Sequence, residues 1–225
     1  MIRSSFIRQK MMKKLLKLSR SSTGKNFKKI ENRVEGVQVL SPLRKDTKVG
    51  ADALNPVLRD IVNPKRYGYP EIKNGSTTYR ERDLVMQLKN EEDVANGDVG
   101  EVLNIYKADG KSRMRVDFGD GKIMEYTDDD IWPLNLAYCI TVHKAQGDEY
   151  PVVILPMLTS FYRMLRKNLF YTAVTRAKRK VIIVGSKKAM AIAIKNDTLS
   201  KRNTMFGLRI RKIYEAYLEQ EKKSA

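Results

Sequence analysis

One cysteine, Cys139, and one histidine, His143, are all that the 225 residues offer of either type. A lone cysteine excludes an intrachain disulfide and fits a reducing compartment. Together the two cannot supply the ligands of a structural zinc site. No apolar run approaches the ~18 residues needed to cross a bilayer, so no membrane span is expected. The N-terminus is cationic but has no uninterrupted apolar stretch, which argues against a secretory signal. Acids are nearly missing from residues 1–33, where Glu31 stands against 11 Lys+Arg.

What is abundant is positive charge. The chain holds 44 Lys+Arg against 26 Asp+Glu, a formal +18. Such an excess favours polyanions, with nucleic acid ahead of anionic membrane. Residues 1–33 contribute +10 of it. Within them Ile2, Phe6, Met12, Leu15 and Leu16 fall near one helical face with basic residues between, which reads as a basic amphipathic arm. A cytoplasmic location is expected, with organelle targeting by the arm left open.

Residues 37–40 read as a short apolar strand ending at Ser41-Pro42. Residues 51–62 show helical spacing, and residues 63–78, rich in Pro, Gly, Asn and Thr, read as a loop. From residue 84 to 126 the pattern is β. Strand candidates at 84–88, 99–106, 114–118 and 122–126 are separated by Asn96-Gly97, Asp109-Gly110 and Gly119-Asp120-Gly121, which are turn signals. Short strands this dense predict a small barrel. Helices are expected at 134–145, 166–177 and 187–195, with buried strands at 152–155 and 181–184. Alternating strands and helices imply an α/β fold with a parallel sheet, here interrupted by an all-β insert.

Three segments carry a resemblance. Thr141-Val142-His143-Lys144-Ala145-Gln146-Gly147-Asp148-Glu149-Tyr150 matches motif V of superfamily 1B helicases. Leu169-Phe170-Tyr171-Thr172-Ala173-Val174-Thr175-Arg176-Ala177-Lys178 matches their motif VI, and Gln38-Val39-Leu40-Ser41-Pro42-Leu43-Arg44-Lys45 is similar to motif IV. Asp83-Leu84-Val85-Met86-Gln87 and Asn96-Gly97-Asp98-Val99-Gly100 look like the entrance to that family's SH3-like insert. Over about residues 34–210 the chain resembles the C-terminal motor domain of the RecD-like branch, a UvrD-like C-terminal domain. The resemblance implies a RecA-like, P-loop-NTPase-type domain at 34–82 and 134–225, with a helical C-terminal tail. The SH3-like β-barrel would occupy 83–133, behind the arm at 1–33.

It also implies roles. ATP in such motors lies between two RecA-like domains, and fixed guanidinium groups stabilise the charge of phosphoryl transfer. Arg176 corresponds to the arginine finger and Arg44 to the motif IV cation. Arginine suits both because its fork meets phosphate bidentately and stays charged. Gly147, Glu149 and Gln146 fall on the nucleotide side, Glu149 toward the ribose. Thr141, His143 and Lys144 fall on the side of the single-stranded DNA. The insert carries Asp117, Asp120, Asp128, Asp129 and Asp130, so any contact it makes with DNA must be local.

One element of the family is missing from these residues. No G-x-x-x-x-G-K-[ST] loop is present. The nearest string, Ser19-Arg20-Ser21-Ser22-Thr23-Gly24-Lys25-Asn26, has serine for the first glycine and asparagine for the magnesium-binding hydroxyl. No apolar strand ends in an Asp-Glu pair. The expectation is half of a shared ATP site, with magnesium held by a first RecA-like domain on another chain and no ATP hydrolysis alone. The rival readings are a non-catalytic single-stranded nucleic-acid-binding protein, a decayed helicase fragment, and a relaxase-helicase or Pif-type relative.

Overall fold

The computed structural model describes residues 36–45, 49–197, 205, 208–215 and 217. The basic arm and the string at 19–26 lie outside the described residues.

Two sheets organise the chain. The first is parallel, in the order β11-β10-β1-β9, from β1 (Val37–Ser41), β9 (Cys139–Thr141), β10 (Tyr150–Met157) and β11 (Ala177–Gly185). The register pairs Val39 with both Ile154 and Cys139, and Tyr150 with Ala177. Val39, Leu40 and the run Val152, Val153, Ile154 and Leu155 are buried, as continuous apolar strands in a covered parallel sheet require. Helix α1 (Ala51–Val62) packs on β9, while α2 (Lys167–Val174) packs on β10 and β11, and α3 (Lys187–Lys195) packs on α2. Ser186 caps α3 by accepting from Ala189 N at 3.0 Å. Residues 208–215 are helical and exposed.

The second sheet is antiparallel, in the order β7-β6-β5-β4-β8. Its strands are β4 (Leu84–Gln87), β5 (Val99–Ala108), β6 (Lys111–Asp117), β7 (Ile123–Thr127) and β8 (Leu134–Leu136). Val85, Met86, Val102, Met114, Val116 and Tyr126 fill its core. Asp109 and Gly110 both have positive φ, so the two-residue β5–β6 connection has the left-handed backbone that this Asp-Gly pair favours.

Three expectations are corrected. Residues 63–78 are not all loop, because β2 (Glu71–Asn74) and β3 (Thr77–Arg80) form a hairpin. Ion pairs hold it: Arg80 Nε lies 2.7 Å and Lys65 Nζ 2.9 Å from Glu71. Residues 134–145 are not a helix. Leu134–Leu136 close the insert sheet, and Cys139–Thr141 form an edge of the parallel sheet. Asn55 stabilises this path, donating to Leu136 O and Cys139 O and accepting from Cys139 N, the last at 2.7 Å. The helix expected at 166–177 stops at Val174, and β11 begins at Ala177 rather than 181. Lys178, Arg179 and Lys180 are exposed on this edge strand, where charge discourages pairing with another chain.

The insert is joined to the parallel-sheet body through buried polar groups. Asp83 is fully buried and accepts from Asn63 Nδ2 at 2.7 Å, Tyr138 Oη at 2.8 Å and Arg80 N at 2.8 Å. Burial pushes its carboxyl up, against the pull of those donors and of Arg59. Gln38 donates to the carbonyls of Ala137 and Tyr138 from the parallel-sheet side of the same joint. The two sheets are thereby stitched on both strands of the crossover.

Candidate functional site

Arg176 follows the end of α2 and immediately precedes β11. Its Nε donates to Thr172 O at 3.2 Å, its Nη2 to Thr175 Oγ1 at 3.4 Å, and its Nη1 to Asp148 O at 3.1 Å. Among the described residues, three of the five N–H groups of this guanidinium are thus used for positioning. The backbone makes the same link, since Tyr150 N donates to Arg176 O at 2.8 Å. Motifs V and VI therefore meet where β10 and β11 begin.

Around this arginine, Gln146, Gly147, Asp148 and Glu149 form an exposed loop. Gly147 has φ +102 with open space where a Cβ would stand, so backbone conformation alone demands glycine here. Glu149 pairs with Lys178 at 3.3 Å, both side chains exposed. Tyr150 donates to Asp148 Oδ2 at 3.2 Å, and burial, with the adjacent Asp148 carboxylate, pushes its phenol up. The charge inventory is a fixed arginine, a lysine and two carboxylates. Such a set can meet a phosphate with the arginine and a ribose hydroxyl with a carboxylate.

Thr141, His143 and Lys144 lie at the other end of the sheet. Ser41 pairs with Thr141 where β1 and β9 end. Thr141 Oγ1 accepts from Lys144 N at 3.4 Å, starting the turn that carries an exposed His143. Lys144 reaches the insert, where its Nζ donates to Asn96 Oδ1.

Arg44 is not brought beside Arg176. It follows the C-terminal end of β1, level with Thr141, whereas Arg176 precedes the N-terminal end of β11. The register places four strand steps between Tyr150 and Ile154 and two more between Val39 and Ser41. At about 3.3 Å per step the two ends are ~20 Å apart. Arg44 is exposed, and its Nε lies 3.4 Å from Asp52. The family resemblance gave both arginines nucleotide roles; the register sets them at opposite ends of the parallel strands. Sequence reading also passed over the carbonyls of Thr172 and Asp148, because backbone acceptors leave no signature in residue identity.

The parallel α/β sheet thus holds a five-stranded insert and an arginine locked to the loop before the neighbouring strand. Residues 136–184 match the UvrD-like helicase C-terminal domain, and residues 54–118 match the SH3 domain of ATP-dependent RecD-like DNA helicases. The chain is similar to the C-terminal portion of the RecD-like helicases. It is 40% identical over 177 residues to the ATP-dependent RecD2 DNA helicase of Deinococcus radiodurans, an alignment covering 78% of this chain and 23% of that protein. It is 36% identical over 102 residues to the RecBCD enzyme subunit RecD of Mycobacterium tuberculosis, covering 45% of this chain and 17% of that one. The chain thus spans about a quarter or less of these relatives' lengths. Among solved structures, the Pif1 helicase of Candida albicans aligns at 15% identity with a TM-score of 0.48, over 98% of this chain and 58% of that chain. Among the described residues no helix is long and apolar enough to cross a membrane.

Proposed function

We propose that this chain is the C-terminal motor module of a RecD-like 5′–3′ DNA helicase, supplying one half of an ATP site and part of a single-stranded DNA track. The observation that carries the reading is the clamp on Arg176. A guanidinium held by three protein acceptors is oriented before any ligand arrives, as an arginine finger must be to stabilise developing charge without reorganising. Glu149 on the adjoining loop would take the ribose, with Gly147 and Gln146 shaping the approach. The phosphate-cradling loop is missing from these 225 residues, so the triphosphate and its magnesium fall to a partner RecA-like domain. Hydrolysis by this chain alone is therefore not expected.

On the opposite edge, Thr141, His143 and Lys144 would hold the DNA backbone, and Arg44 belongs with them by position. Its guanidinium suits a nucleic-acid phosphate as well as a nucleotide one. This edge also supports a second reading, a non-catalytic single-strand binder, because none of its residues depends on nucleotide. Fluorescence anisotropy of a labelled single strand across a salt series, with ATPase read in the same samples, tests both. Salt-sensitive binding without hydrolysis is the expected result. Hydrolysis by the unmixed chain would remove the motor-half reading.

A further inference from the structure

Trp132, the chain's single tryptophan, sits between β7 and β8 with 52% of its surface exposed. Lys89 Nζ stands 3.8 Å from the centre of its ring. Neither residue belongs to a helicase motif. A large indole left this open, with a cation already drawn to its π face, is the pairing that single-strand-binding surfaces use for base stacking.

Its neighbourhood connects it to the strand-contacting edge by two independent routes. Lys144 bonds Asn96, Asn96 N donates to Asn90 Oδ1 at 2.8 Å, and Asn90 adjoins Lys89. On the other route Arg44 pairs with Asp52, and Asn135 Nδ2 donates to Asp52 Oδ1 at 3.2 Å, three positions after Trp132. Leu88 N donates to Pro133 O at 2.7 Å, fastening the two segments that carry the lysine and the tryptophan. Arg44, Lys144 and Lys89 therefore form a broken cationic line across the joint of body and insert, with Trp132 at its insert end.

The acids close in sequence decide which part of a nucleotide Trp132 meets. Glu91, Glu92 and Asp93 follow Lys89, and Asp128, Asp129 and Asp130 precede Trp132, all exposed. They disfavour a phosphate at the indole, whereas a neutral base face is unaffected. We infer that Trp132, with Lys89, is a base-stacking site for single-stranded DNA passing from the Thr141–Lys144 edge onto the insert. The inference rests on the proposed strand track, and it adds a residue that reads bases without regard to sequence.

Titration of the full chain with oligodeoxythymidylate, following both tryptophan emission and the anisotropy of a labelled strand, tests this directly. Because only Trp132 emits as tryptophan, stacking is expected to quench that emission as anisotropy rises. An abasic oligonucleotide of equal length should bind more weakly and leave emission nearly unchanged. Trp132→Ala should weaken thymidylate binding by roughly 5- to 150-fold, and Trp132→Phe by less. Binding without quenching, with Trp132→Ala equal to the parent, would overturn this site while leaving the strand track intact. Absence of any binding by anisotropy would overturn the track and this site together.

Discussion

The Nη1 of Arg176 donates to the backbone carbonyl of Asp148 at 3.1 Å, tying the end of helix α2 to the loop before β10. Because the acceptor is main chain, a side-chain change at Asp148 leaves it in place, whereas a change at Arg176 removes the clamp and the cation together. In a reaction reconstituted with the first motor domain of a RecD-like helicase, Arg176→Ala should lower ATP turnover by about a thousand-fold or more. Arg176→Lys should recover little, since an ammonium cannot hold three separate acceptors and still face a phosphate. Asp148→Ala should stay within a few-fold of the parent.

The opposed placement of Arg44 and Arg176 predicts a division of effects. Arg44→Ala and Lys144→Ala should each reduce the dependence of log affinity for single strands on log salt by about 0.7, one phosphate contact apiece. Arg176→Ala should leave nucleotide-free strand binding unchanged. Salt-series anisotropy on the three variants decides this. An Arg44→Ala variant that binds DNA like the parent yet loses reconstituted ATPase would return Arg44 to the nucleotide side.

Gly147 offers a test of backbone against contact. With φ +102 and open space at the Cβ position, Gly147→Ala meets no atom but strains its backbone. A loss of about 1–2 kcal/mol is expected in urea unfolding. A neutral result would show that the loop relaxes freely.

The hairpin of β2 and β3 carries a pH signature. Hydrogen bonds from Lys65 and Arg80 hold the Glu71 carboxyl below the usual carboxylate range. A depressed folded value means that the stabilisation is present above the unfolded value of about 4.3 and disappears as pH falls through the folded one. Glu71→Gln should therefore cost up to about 1 kcal/mol at neutral pH and nothing once the parent glutamate is protonated. Urea midpoints of both chains across pH 2–7 should converge on acidification; a gap that persists at the acid end would contradict this.

The sequence disclosed the parts whose cause is local. Asp109-Gly110 announces its own turn, β1 and the Val152–Leu155 run announce buried strands, and the motif strings place α2 and the loop before β10. It did not disclose residues 134–141. A short apolar run fits helix or strand equally, and what decides is Val39, beside which Cys139 pairs, and Asn55, which satisfies the crossover backbone. The hairpin at 71–80 was hidden by turn-forming composition, since its apolar face is only the cross-strand pair Ile72 and Tyr79, both buried. The separation of Arg44 from Arg176 follows from strand direction, since a residue after β1 and a residue before β11 stand at opposite ends of a parallel sheet. Trp132 and Lys89 gave no signal, lying outside every motif and meeting only through the fold.

A divided ATP site is tested most directly by ATP turnover with single-stranded DNA, for this chain alone and mixed with a first motor domain of a RecD-like helicase. The prediction is no turnover alone, turnover on mixing above that of the added domain, and loss of that gain with Arg176→Ala. Turnover by this chain alone, or a gain on mixing that survives Arg176→Ala, would contradict it.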